Sequence, residues 1–285
     1  MLKKGVAVVG STTIDTIVDN NRSFLKLGGV TTYSGLTYRR HGINTLIVSN
    51  LAEQDLAILD KLYEENIVVC RKESEHSTRF VNYIKGDNRS QEMPQQAGPI
   101  QTDQIYAILD QVDSLHLGPL HPSDIQWEAS TLLRNSNRMI FLDVQGLARM
   151  VKNKRVFPSI SEYMELGLSL AHIVKANGPE YSAVLDFYGM RPAELMRRFN
   201  IEEIVVTLGK KGGFVRKQSG VAYNYQAQVV DFPVDPTGAG DVFFAAYLVS
   251  RYSAEKEIPD ACRYAANIAA RQVEGKYITA DTLSL

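Results

Sequence analysis

Short apolar runs recur along the chain, and each ends in glycine or polar residues. They are GVAVVG (5–10), INTLIVSN (43–50), ENIVVC (65–70), DSLHLGPL (113–120), RMIFLDVQG (138–146), AHIVKANG (171–178) and IEEIVVTLGKKGG (201–213). Their length and β-branched content predict short strands, buried on both faces. Helix-like segments separate them: AEQDLAILDKLYEE (52–65), PSDIQWEASTLLRNS (122–136), SISEYMELGLSL (159–170), GPEYSAVLDFY (178–188) and RPAELMRRF (191–199). Strands alternating with helices imply βαβ units and a mostly parallel sheet.

Two regions break this rhythm. Residues 11–30 and 76–97 are polar, alternating and turn-rich. They predict exposed strands outside the main sheet, suited to a lid over a site. RFVNYIKGDNRSQ (79–91) reads as a hairpin turning at Gly86, Asp87 and Asn88. No internal repeat, low-complexity tract or linker divides the chain, which predicts one domain over 1–285.

Composition narrows the class. Of 285 residues, 45% are hydrophobic and 22% charged, as in ordinary globular proteins, and the net charge of -1 argues against a nucleic-acid-coating or membrane-surface protein. Two cysteines, Cys70 and Cys262, make no disulfide framework and predict a reducing compartment. The first apolar run, Val6 to Val9, is too short for a signal-peptide core, and no stretch approaches the roughly 20 apolar residues of a membrane span. The expectation is a cytoplasmic, soluble protein with no nucleic-acid or membrane partner.

The stretch DPTGAGDVFFAAYLVSRY (235–252) carries the chemistry. Val242 to Val249 is apolar nearly all round and predicts a buried helix. Gly238, Ala239 and Gly240 fall at its entrance. The first N–H groups of a helix lack internal partners, and the helix dipole adds positive potential there. Small residues let an anion approach those groups, and Asp241 then sits beside the anion. Such a carboxylate can accept a proton from a hydroxyl attacking a phosphate; the plainer alternative is an acid at a helix start after a tight turn. Neither GxxxxGK[ST] nor GxGxxG occurs.

DPTGAGDVFFAAYL resembles the C-terminal signature of the ribokinase-like (PfkB) family of small-molecule kinases. The resemblance implies a ribokinase-like three-layer α/β sandwich with a mostly parallel central sheet and a small β lid. It also implies an ATP-dependent phosphotransferase that uses Mg²⁺. Asp241 would be the catalytic base, and the Gly238–Ala239–Gly240 backbone the anion hole. Other segments follow in the family's order. VAVVGSTTID places Asp15 on substrate hydroxyls, and LGGVTTYSG places Gly28 and Gly29 at a hinge. STRFVNYIKGDNRS places Thr78 at a lid strand. KANGPE carries an Asn-x-x-Glu pattern, which places Lys175 and Asn177 with the nucleotide and Glu180 with the metal. VVTLGKKGG brings Thr207 and Gly209 to the nucleotide, and AANIAARQVEG brings Asn267 and Ala270 to the adenine.

One departure concerns the acceptor. Relatives acting on ribose or fructose usually read GGxxxN at the substrate helix, whereas Tyr33 stands at that position here. LDVQGLAR (142–149) resembles a stretch of the compact branch that includes myo-inositol kinases, which singles out Asp143, Gln145 and Arg149. The substrate implied is a small sugar or polyol, a cyclitol such as myo-inositol favoured. A nucleoside kinase of the same fold, with Tyr33, Phe80 or Tyr83 as base platform, is the first rival. A catalytically silent binding regulator is the second.

Plainer readings accompany these assignments. Asp15 could be a turn acid, Asn177 a helix N-cap beside Pro179, Thr207 to Gly209 an ordinary strand end, and Arg149 a surface side chain. Lys210 and Lys211 read as solvated. His116, His121 and Asp124 have poor spacing for a metal site, and Trp127 reads as core. The exposed lid strands could pair between subunits in a homodimer.

Overall fold

All seven apolar runs become strands of one sheet. The computed structural model describes residue 2 and residues 4–19, 22–85 and 88–285. The runs form β1 (Val6–Val9), β4 (Thr45–Val48), β5 (Val68–Cys70), β8 (Ser114–Leu117), β9 (Met139–Asp143), β12 (Ile173–Asn177) and β13 (Glu203–Thr207). They pair in parallel in the order β13-β12-β9-β8-β1-β4-β5. Two further strands, β14 (Gly213–Lys217) and β15 (Ala222–Tyr225), extend the β13 edge antiparallel, for nine strands in all.

Alternation along the strands builds two cores. Val6 and Val8 of β1 enter one, with α1 (Val30–Arg40), α2 (Asp60–Glu64), α8 (Ala239–Leu248) and α9 (Ile258–Val273). Ala7 and Val9 face the other, with α3 (Thr102–Tyr106), α4 (Ser130–Asn135), α5 (Met164–Leu170), α6 (Gly178–Tyr188) and α7 (Pro192–Phe199). The result is the expected three-layer sandwich. Trp127 is buried in the second core, as its pattern suggests. His116, on β8, is buried between the Tyr38 hydroxyl, 3.1 Å from its Nδ1, and the Phe244 ring.

The two polar regions form a separate sheet. It contains β2 (Thr13–Asp19), β3 (Arg22–Gly28), β6 (Thr78–Lys85) and β7 (Asn88–Gln95). Two strands not foreseen from the sequence, β10 (Arg149–Lys152) and β11 (Arg155–Pro158), join it in the order β10-β11-β7-β6-β2-β3. The hairpin of β6 and β7 is present, with Lys85 opposite Asn88. Gly86 and Asp87, placed at its turn by the sequence reading, lie outside the described residues. Asp124 anchors the roots of this lid. It accepts from the backbone N–H of Ser11 and Leu120 and from the Ser11 hydroxyl. No described helix is long and apolar enough to cross a membrane.

Candidate active site

The parallel strands all point one way, and successive units build outward from β1 in both directions, first to β4 and β5, then to β8, β9, β12 and β13. A crevice at the carboxyl ends of the strands beside such a reversal is the usual ligand site of open α/β sheets. A cavity of about 220 Å³ opens there, under the lid sheet. Thr13, Asp15 and Phe80 line it from the lid, and Gly29, Val30 and Tyr33 from the start of α1. Gln145, Lys175, Asn177 and Thr207 line it from the strand ends, and Thr237, Gly238, Gly240 and Asp241 from the loop into α8. A larger cavity of about 450 Å³ opens around Asp113, Arg134, Arg138 and His172, at the amino ends of β9 and β12. No part of the 235–252 motif reaches it.

The helix mouth forms as the sequence predicts. Gly238 caps α8 in a left-handed conformation (φ 74°), and a Cβ there would lie 2.3 Å from the Tyr33 ring. Only glycine satisfies both demands. Val242 N–H closes the first helical bond onto Gly238 O at 2.8 Å. The N–H groups of Gly240 and Asp241 precede it and have no acceptor within the helix. A Cβ on Gly240 would stand 3.5 Å from Lys175 Nζ, in ordinary van der Waals contact. The Ser34 hydroxyl donates to Asp241 O, holding α1 to this turn.

Beneath the helix mouth lies a buried cluster of charges. Lys175 Nζ is 2.7 Å from Asp143 Oδ2 and 3.7 Å from Asp241 Oδ1. Asp143 also accepts the Gln145 N–H at 3.0 Å. Burial opposes the charge on Lys175, but Asp143, Asp241 and Glu180 outweigh it and hold the ammonium above its ordinary pKa. Asp241 moves the other way for a carboxylate. Burial first, then Asp143 and Glu180, push it up to about 7 against the pull of Lys175 and Arg149. That range suits a general base at neutral pH. Glu180 is also raised, chiefly by burial.

Asn177 and Glu180 form a reciprocal capping box on α6. Asn177 Oδ1 accepts Glu180 N–H at 2.9 Å, and Glu180 Oε2 accepts Asn177 N–H at 2.8 Å. The capping reading of Asn177 is therefore correct, and the cap also turns Asn177 into the cleft. Among the described residues no three His, Cys, Asp or Glu side chains are grouped to hold a metal. With a lysine ammonium between Asp143 and Asp241, this donor set suits a Mg²⁺ held mainly by phosphate oxygens and water; Glu180 is not among the residues lining the cleft.

On the lid side, Asp15 is buried and its Oδ1 accepts the Thr13 hydroxyl at 2.6 Å. A Cβ on Gly28 would lie 2.5 Å from Asp15 Oδ2, so Gly28 makes room for that carboxylate. Arg149 is buried rather than on the surface. It donates to Gln145 O and to Gln91 Oε1 from lid strand β7. Gln91 and Thr13 line the cleft yet carried no signal in the sequence.

Other sequence-derived residues fall elsewhere. Thr78 is buried at the lid root, where its hydroxyl meets Ser11 Oγ (2.9 Å) and accepts Ala97 N–H (3.0 Å). Gly209 is in the exposed turn after β13, followed by exposed Lys210 and Lys211. Asn267 is exposed and Ala270 half-buried on α9. None of the four lines the 220 Å³ cleft. Tyr83 is exposed and hydrogen-bonds Glu92. Of the three candidate aromatic platforms, Tyr33 and Phe80 reach the cleft.

Solved structures with this fold cover nearly the whole chain. A pyrophosphate-dependent kinase of the ribokinase family, in a sulfate complex, matches 94% of this chain and 95% of its own at TM-score 0.83 and 20% identity. Ribokinase from Thermotoga maritima matches 94% and 92% at TM-score 0.74 and 18% identity. A Burkholderia thailandensis nucleoside kinase, complexed with inosine, matches 95% and 91% at TM-score 0.76 and 16% identity. No curated protein sequence matches significantly. The sequence model of the pfkB family carbohydrate kinases matches residues 47–283, which takes in the helix mouth, Asp241 and the Lys175 cluster, and so the chain belongs to that family of kinases.

Proposed function

We propose that the chain transfers a phosphoryl group from ATP to a hydroxyl of a small polyol or sugar, with a cyclitol such as myo-inositol the favoured acceptor. One observation carries this reading: Asp241, with its pKa raised to about 7, sits beside the open N–H groups of α8, in the cleft that also holds Asp15. Asp241 takes the proton of the acceptor hydroxyl as that oxygen attacks the terminal phosphorus. The bond from phosphorus to the donor's bridging oxygen breaks, and the N–H groups at the helix mouth stabilise charge on the transferred group. Lys175 holds Asp241 in place and limits how far its pKa climbs. Mg²⁺, carried by the donor phosphates with water and Glu180, would neutralise charge on those phosphates. The lid sheet keeps water from competing with the acceptor.

Asp15 and Thr13 would grip acceptor hydroxyls, since an ionised carboxylate accepts two hydrogen bonds. Gln91, Gln145 and Arg149 complete a polar lining, which favours a hydroxyl-rich acceptor over a nucleoside. Tyr33 packs on Gly238 at the helix mouth, which leaves Phe80 as the one candidate base platform still on the acceptor side. One fold neighbour is described as pyrophosphate-dependent and complexed with a pyrophosphate analog and myo-inositol, so pyrophosphate is the donor to run beside ATP. We read the enzyme as cytoplasmic, with Cys70 and Cys262 as free thiols. Strand β3 ends the lid sheet with Phe24 and Leu25 exposed. A homodimer through that edge is our expectation, to be checked by light scattering.

The test is phosphoryl transfer from ATP or pyrophosphate across polyols, pentoses, hexoses and nucleosides, with the phosphorylated acceptor followed by phosphorus NMR. A phosphorylated cyclitol, absent with Asp241→Asn, is expected. Transfer to nucleosides alone would keep the mechanism and overturn the acceptor. Tight acceptor binding with no transfer from either donor would mark a silent binding protein.

A further inference from the structure

Lys26 has no part in the mechanism above, yet it is one of the most buried cations of the chain, 4% exposed on lid strand β3. A buried ammonium is costly unless it is paired. Its partner is Asp235, 209 residues away in the sequence and three before Gly238. Asp235 in turn accepts the N–H of Thr237 at 2.9 Å. The backbone N–H groups of Val234 and Asp235 are tied to Val273 O at the end of α9. Lys26 Nζ also lies 5.9 Å from the centroid of the Tyr33 ring, the ring on which Gly238 rests. Two separate supports of the helix mouth, Asp235 with Thr237 and Tyr33 with Gly238, thus meet at one ammonium group. Across the β2–β3 ladder the residue opposite Lys26 is Asp15, the carboxylate assigned to the acceptor.

The charge at Asp235 gives this arrangement a purpose. Asp235 is only part-buried, its side chain 30% exposed, but it stands three residues before Gly238, and a bare carboxylate there would oppose the incoming phosphoryl group, since partly buried charges are screened less than exposed ones. Burial alone would push Asp235 towards its neutral form, but Lys26 and the Thr237 contacts hold it below its ordinary pKa, so it stays charged. Lys26 is the main cation acting on it.

We propose that Lys26 is a positioning residue for phosphoryl transfer: it braces the turn at Gly238 from behind and cancels the Asp235 carboxylate, so that the helix mouth presents net positive potential to the donor. The proposal rests on the phosphoryl-transfer reading for its kinetic consequence, and on the geometry alone for its consequence in anion binding. It also makes the lid sheet part of the anion site, because one strand carries both the brace and the neighbour of Asp15.

The experiment compares wild type with Lys26→Met, Asp235→Asn, Lys26→Arg and the double variant Lys26→Met/Asp235→Asn. The readouts are kcat, KM for donor and acceptor, and the rise in melting temperature produced by inorganic phosphate. Lys26→Met is expected to lower kcat by about tenfold or more, with a smaller change in acceptor KM, and to blunt the phosphate-induced shift. Asp235→Asn lowers thermal stability as well but keeps the phosphate response, since it leaves the cation. The double variant recovers much of the response lost in Lys26→Met, and Lys26→Arg retains it. A purely structural pair would make Lys26→Met and Asp235→Asn fail alike, and that result would overturn the proposal. So would a double variant no better than Lys26→Met, or a wild type with no phosphate response. Should Lys26→Met not fold, Asp235→Asn beside Lys26→Arg still decides, because loss of the phosphate response in Asp235→Asn contradicts the charge argument. Absence of transfer with every acceptor, with the phosphate pattern intact, would instead count against the kinase reading and leave the brace standing.

Discussion

Asp235 and Asp241 flank the same short turn, and the fold drives them in opposite directions. Burial pushes both towards the neutral form. Asp235 contacts Lys26 directly and accepts the Thr237 N–H, so its pKa falls. Asp241 shares Lys175 with Asp143, which holds the closer contact (2.7 Å against 3.7 Å), and Asp143 and Glu180 add repulsion. Its pKa rises to about 7. The difference teaches that a lysine beside a carboxylate does not fix its protonation. What matters is how many carboxylates share that lysine. One aspartate is kept charged as scaffold, and the other is poised to gain and lose a proton.

The comparison can be broken most severely at Asp241. Asp241→Asn should lower transfer by about 10²–10⁴-fold, the usual contribution of a general base, with the fold intact by circular dichroism. Stability should respond with a definite sign. A carboxylate whose pKa is raised on folding stabilises the folded state at low pH and loses that contribution as the pH rises through its folded value. Wild type should therefore lose stability relative to Asp241→Asn between about pH 4 and about pH 7, seen as a changing difference in melting temperature.

Removing the shared lysine sharpens the contrast. Lys175→Met strands Asp143 in the interior, and its urea midpoint should show a loss of about 3–5 kcal/mol. It should also move the pH dependence of any remaining activity upward, because Asp241 loses the cation that restrains its pKa.

Gly238→Ala attacks the turn between the two aspartates. A left-handed alanine costs about 1–2 kcal/mol before its contact with the Tyr33 ring is counted. Transfer should fall further than stability, measured as kcat against melting temperature. The smallest expected effect on transfer lies outside the turn. Thr78→Val removes two buried hydrogen bonds at the lid root and should cost about 1–3 kcal/mol, with acceptor KM unchanged if Thr78 only frames the lid.

The sequence made the central sheet legible because strands covered on both faces are unbroken apolar runs. Strands β14, β15, β10 and β11 were not, for the opposite reason. GFVRK, AYNY and RMVK mix polar and apolar residues, as expected of strands at or next to a sheet edge with one wet face. The β10–β11 turn, moreover, places Asn153 and Lys154 at positive φ without a glycine to announce it. The helix mouth was legible because its parts are contiguous from Pro236 to Asp241. Gly28 was read as a hinge; the demand that it stay small for Asp15 left no local trace. The pairing of Lys175 with Asp143 depends on the β9–β12 register, and Lys26 finds Asp235 only through the lid. Neither contact leaves a trace at local spacing.

The most direct test of the account is the pH dependence of acceptor phosphorylation by wild type, run beside Asp241→Asn. The account predicts a rate that climbs with pH through a midpoint near 7 and then levels, and a mutant with little rate and no such limb. A wild-type rate flat across that range, or a mutant that retains it, would contradict Asp241 as the base.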